Sequence, residues 1–97
     1  MKLFVFLAPE NVQNVTVLNQ TESSITLRWD KVNSISTYFL KYVKDSIEKV
    51  EPITTTSESV THEVTGLSAG TKYDFLLLTT HNGVNSTGFS ISAATGR

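Results

Sequence analysis

The 97-residue sequence predicts an all-β fold: one small domain of about seven short strands closed as a two-layer sandwich. Three observations carry this expectation. Apolar residues recur with period two in short segments separated by Asn, Ser, Thr and Gly clusters, and no stretch shows a helical stripe. In addition, Gly66-Leu67-Ser68-Ala69-Gly70-Thr71-Lys72-Tyr73 reads as a sandwich corner. There a leucine precedes a glycine-bearing turn and a tyrosine opens the next strand, its ring packed inward and its hydroxyl bonded to backbone upstream.

In chain order, residues 1–8 form an apolar leader, Met1-Lys2-Leu3-Phe4-Val5-Phe6-Leu7-Ala8. Its apolar run of about six residues is shorter than the 7–15 of a secretory signal core, so it reads as an extra strand, an added leader or a truncated signal. The domain proper is expected over residues 9–97. Val15 and Val17 alternate with Thr16 in a first strand, Asn19 to Ser24 make a turn, and Ile25, Leu27 and Trp29 alternate with Thr26 and Arg28 in a second. Tyr38, Leu40 and Tyr42 set the parity of a third. Ile47 to Ile53 suggests a weaker edge strand ended by Pro52, since edge placement tolerates proline. Val60 to Val64, the run from Tyr73 to Thr79, and Phe89 to Ala93 complete the set. Thr and Val supply the strand propensity.

From about Pro9 to Thr95 the chain resembles a fibronectin type III domain, a seven-stranded immunoglobulin-like β-sandwich. The residues that carry the resemblance are Trp29 at the end of the second strand, Tyr38-x-Leu40-x-Tyr42 in the third, Gly66-Leu67-x-x-Gly70-Thr71-x-Tyr73 at the corner, and Thr95. One departure is Ala69, where the family usually has proline; this loosens the turn by up to about 1 kcal/mol through unfolded-state entropy. No cysteine pair brackets the tryptophan, so an immunoglobulin domain proper is a poor fit. The sequence is also similar to repeats in receptor-type tyrosine phosphatases. That narrower resemblance implies a phosphatase domain elsewhere in the parent and no phosphatase chemistry in these residues.

Composition narrows the function. A formal net charge of −1 with no dense basic run lacks the electrostatic footprint of a nucleic-acid or anionic-membrane binder. The absence of cysteine removes disulfides, thiolate metal sites and cysteine nucleophiles. No segment approaches the roughly 18–20 apolar residues of a membrane-spanning helix. His62 and His81 are the only histidines and are not spaced as a metal pair. The first reads as a half-buried strand residue and the second as a solvated loop residue. With no recognisable nucleophile or acid/base motif, no catalytic residue, cofactor or metal is expected.

What remains is binding. The loop Thr80-His81-Asn82-Gly83-Val84-Asn85-Ser86 is, by the family resemblance, a connection that often carries ligand contacts, although the Arg-Gly-Asp tripeptide of some members is absent. His81, Asn82, Gly83 and Val84 are therefore contact candidates, with Asn82-Gly83 reading first as turn chemistry. Parity singles out a second surface. If Tyr38, Leu40 and Tyr42 face the core with Tyr73, Phe75 and Leu77, then Phe39, Val43, Leu76 and Leu78 point outward. The resemblance places these strands side by side, so Phe39, Leu76 and Leu78 would form a contiguous patch suited to a neighbouring repeat, a partner protein or self-association. Coverage by the apolar leader is the competing explanation. Lys41, Lys44 and Lys49 lie among Asp45, Glu48 and Glu51 and read as a mixed-charge edge that discourages pairing rather than a glycosaminoglycan site.

Three N-glycosylation sequons occur, Asn14-Val15-Thr16, Asn19-Gln20-Thr21 and Asn85-Ser86-Thr87. With six asparagines and about a quarter of residues Ser or Thr, chance supplies roughly 1.5 such triplets, so placement matters more than count. Asn14 has outward parity, Asn19 falls in a turn and Asn85 in a loop. The expectation is a non-catalytic extracellular module of a cell-surface receptor or adhesion protein, acting as spacer and contact surface. The alternatives are an accessory module of a secreted carbohydrate-active enzyme and an intracellular scaffold repeat.

Overall fold

A computed structural model of the chain describes residues 9–32 and 34–97. The leader at residues 1–8 lies outside them. Eight strands form among the described residues: β1 (Val15–Gln20), β2 (Ile25–Asp30), β3 (Thr37–Lys44), β4 (Ile47–Thr54), β5 (Ser59–Val64), β6 (Lys72–His81), β7 (Val84–Asn85) and β8 (Phe89–Ala94). One sheet has the order β1-β2-β5 and the other β4-β3-β6, with β7 and β8 both pairing with β6. All pairings are antiparallel. The two sheets close over Trp29, Tyr38, Leu40, Phe75 and Leu77, each at most 1% exposed. The alternation expected from sequence is thus the one that builds the core.

Three elements differ from the sequence expectation, each for a local reason. The last family strand is split into β7 and β8, which raises the count from seven to eight. At the break, buried Ser86 donates its N–H to the Thr79 carbonyl (2.9 Å) and accepts the Thr79 N–H on its Oγ (3.0 Å). Gly88 follows at φ 103°, where a Cβ would come within 2.5 Å of Leu76 Cδ1. Only glycine lets the backbone lie that close to the sheet.

Strand β4 does not stop at Pro52 but runs to Thr54, with Pro52 opposite Phe39. As an edge strand it needs no ladder donor on its outer side. Asn19 and Gln20 lie inside β1 rather than in a turn, because a bulge between Val17 and Asn19 keeps the strand paired as far as Gln20 opposite Ile25.

The corner has the expected latch. The Ser68 N–H donates to Tyr73 Oη at 2.9 Å, and the ring is 5% exposed. Thr95 completes it from the far end of the chain, donating through Oγ1 to the Ser68 carbonyl (2.5 Å) and accepting the Thr71 N–H (3.0 Å). Two consequences can be measured by urea unfolding. Tyr73→Phe leaves the Ser68 N–H without its acceptor and should lower stability by about 1–3 kcal/mol. Ala69→Pro should raise it by about 0.4–1 kcal/mol, since Ala69 sits exposed in the turn and proline restricts the unfolded chain.

Candidate functional site

The pairing register turns parity into surfaces. On the outer side of the larger sheet, Phe39 stands between Pro52 and Leu78, Lys41 between Val50 and Leu76, and Val43 beside Glu48. Val43 and Val50 are 56% and 47% exposed, and Phe39 and Leu76 are half-buried. Lys41 lies among them; its methylene stem can cover apolar surface while the ammonium stays in water. A shallow hollow of about 190 Å³ opens here, lined by Lys41, Val43, Glu48, Asp74 and Leu76, among others. The face is therefore apolar, ringed by charge of both signs, and lies on rigid strands.

One member of the expected patch is not available to a partner. Leu78 points outward but is only 5% exposed, and the backbone of Gly88 lies close enough that a Cβ there would sit 2.9 Å from Leu78 Cδ2. The patch is consequently shifted toward β4 and is made by Phe39, Val43, Val50 and Leu76. Val50 was not singled out in sequence, because its place opposite Lys41 depends on the β3–β4 hairpin. That hairpin turns at Asp45 and Ser46, both with positive φ (53° and 63°) and neither a glycine. The same register separates the three lysines: Lys41 shares the outer face, whereas Lys49 lies opposite core-facing Tyr42.

The second candidate surface is smaller than expected. Thr80 and His81 belong to β6 and Val84 and Asn85 to β7, which leaves a two-residue turn at Asn82 and Gly83. Their φ values of 51° and 78° are those of a tight hairpin turn whose twist matches the strands. Turn geometry accounts for Asn82-Gly83, and His81 is exposed at the hairpin's base. The sequons fall on both faces: Asn14 and Asn19 on the smaller sheet, and Asn85 opposite Thr80 on the outer side of the larger one, all exposed.

His62 occupies the position its parity assigned and gains a partner that sequence did not reveal. It is half-buried on β5, and its Nε2 lies 2.6 Å from Oε1 of Glu51 on β4. Tyr42 Oη donates to the other oxygen, Oε2, also at 2.6 Å. Since β4 and β5 belong to different sheets, Glu51 clasps the sandwich at its open side. Chemically this is a cross-sheet bridge, with both carboxylate oxygens occupied. Among the described residues no group of three His, Asp or Glu is placed to hold a metal.

Burial raises the Tyr42 phenol well above its ordinary range, with the hydrogen bond and charge of Glu51, and then Tyr73, adding to it. A phenol shifted in this direction lends stability that is fully present below its unfolded value of about 10 and is lost as pH rises through the raised one. In an alkaline titration followed by phenolate absorbance, the step missing from Tyr42→Phe should lie above the ordinary range. Glu51→Gln should move that step to lower pH.

A family model for the fibronectin type III domain matches residues 8–95, so the chain belongs to the fibronectin type III family. Solved structures agree on the fold. The fibronectin type III domain of human collagen alpha-1(XX) chain superposes with a TM-score of 0.75 at 22% identity, over 96% of this chain and 90% of that one. The FN1–FN3 domains of chicken CNTN1 give 0.75 at 18% identity, covering 92% of this chain and 31% of that one. A domain designated FN3tt gives 0.65 at 28% identity, covering 86% and 87%. No curated protein matches the chain. Domains of this family are typically structural or interaction modules.

Proposed function

We propose that this domain is a non-catalytic extracellular module of a cell-surface receptor or adhesion protein, a spacer that meets a neighbouring repeat or partner protein. The observation that carries the reading is the outer face of β3, β4 and β6, where Phe39, Val43, Val50 and Leu76 expose apolar surface on a rigid sheet. Extracellular placement is supported by three exposed sequons. The narrower form of the reading is an ectodomain repeat of a receptor-type tyrosine phosphatase, with all catalysis in another part of that parent. The alternatives remain an accessory module of a secreted carbohydrate-active enzyme and an intracellular scaffold repeat.

Two measurements test it. On intact cells expressing the parent, a membrane-impermeant amine reagent should label the exposed lysines of the domain; protection from the reagent would favour the scaffold alternative. The double variant Val43→Ser/Leu76→Ser should weaken association of the parent's ectodomain by more than about tenfold, since each lost side chain removes apolar contact worth about 1 kcal/mol or more. Sedimentation of the ectodomain reads this. Unchanged association in a folded variant would remove the contact role from this face.

A further inference from the structure

The outer face of the smaller sheet has the opposite character. Next to β1, strand β2 presents Thr26, Arg28 and Asp30 outward, and β5 presents Ser59, Thr61 and Glu63 opposite them. Every one of these is polar or charged. On β1 the same face carries Thr16, opposite Arg28, and Asn19, opposite Thr26; Asn14 immediately precedes the strand.

Simple alternation would not put both asparagines there. Asn14 and Asn19 are five positions apart, and in a regular strand residues of opposite parity point to opposite faces. Asn19 would then lie on the core side. The bulge changes this. Val17 pairs with core-facing Leu27, but the next pair is Asn19 with outward-facing Thr26, and the extra residue, Leu18, is left 58% exposed. One inserted residue restores the outward direction. Asn14 precedes the Val15–Trp29 pair, so the two asparagines are about four strand steps apart, roughly 13 Å at 3.3 Å per step. Both are exposed. A shallow hollow of about 280 Å³ borders Asn14, lined also by Asp30 and Lys31. By contrast Asn11, which lies outside any sequon, has its amide committed to Thr87 Oγ1 and the Gly88 N–H.

We infer that Asn14 and Asn19 are two N-glycosylation sites on one face, and that the β1 bulge is what makes double occupancy compatible with the folded sandwich. The inference rests on the extracellular reading above. In the modification, each asparagine Nδ2 attacks the anomeric carbon of a lipid-linked oligosaccharide. The N–C bond forms, the bond from that carbon to the lipid diphosphate breaks, the diphosphate leaves and one amide proton passes to solvent. Two glycans, one on β1 and one just before it, shield an edge strand from pairing with other chains. They also leave the Val43–Val50 face of the other sheet uncovered, so one side of the module is sugar-coated and the other is free for contact.

The test is to express the full chain behind a secretion signal in mammalian cells and map occupancy after glycosidase release in heavy-oxygen water, which marks each formerly glycosylated asparagine as labelled aspartate. The expected result is label at both Asn14 and Asn19 in secreted protein whose Trp29 fluorescence is that of the buried indole. Asn14→Gln and Asn19→Gln should each remove one glycan from the gel pattern. Translation into microsomes reads the same shifts without requiring secretion. A vacant Asn14 or Asn19, or double occupancy confined to misfolded chains, would overturn the inference. Because sedimentation of Val43→Ser/Leu76→Ser does not depend on glycans, a failure here is distinguishable from failure of the proposed contact role.

Discussion

The structure depends on one packing arrangement: Trp29 from the smaller sheet enclosed by the inward residues of the larger. The indole is fully buried and meets Tyr38 edge-on, with centroids 5.6 Å apart and planes at 63°. Burying rings of this size supplies much of the apolar stabilisation available to a domain of under 100 residues without cross-links. It also fixes registers. With Trp29 inward, Leu27 and Ile25 must be inward, and through the pairings so must Val60 and Val64. A slip of one residue would turn every one of these to solvent. The indole Nε1 has no acceptor among the described residues. That orphaned donor costs on the order of 1–3 kcal/mol, less than the burial the indole contributes.

Polar clasps close the rims of this core. Tyr73 and Thr95 bind the corner backbone at one end. Thr79 holds the Glu10 carbonyl through Oγ1 (2.7 Å), and Asn11 spans Thr87 and Gly88, fastening the entering chain to the larger sheet. Glu51 joins Tyr42 to His62 across the open side. Each clasp satisfies groups that the sheets leave unpaired, in places where apolar packing has thinned out. Structural geometry therefore accounts for the titratable side chains that lie closest together. This agrees with a family whose members serve as scaffolds and contact surfaces.

The outer faces diverge because nothing in the core constrains them. One carries Phe39, Val43, Val50 and Leu76 around a lysine; on the other, the outward residues of β2 and β5 are all polar or charged, and two sequons lie alongside them. Both lie on strands whose inward residues are locked, so each surface is presented without loop flexibility. The Asn82-Gly83 hairpin is too short to add much reach.

The sequence by itself determined the sandwich, its inward residues and the corner. A period of two over Ile25-Leu27-Trp29, Tyr38-Leu40-Tyr42 and Tyr73-Phe75-Leu77 admits one buried side, and Gly66, Gly70 and Tyr73 form a local pattern. Local signals could not supply what depends on pairing between distant segments. The glycine-free turn at Asp45-Ser46 concealed the hairpin that brings Val50 beside Lys41, and the β1 bulge that redirects Asn19 has no composition of its own. Leu78 has the parity of a surface residue yet is 5% exposed, with Gly88 crossing close to its side chain. Alternation along one strand is set by covalent geometry. Which residues become neighbours, and which outward side chains stay uncovered, was decided by tertiary register and by where the chain crosses its own sheet.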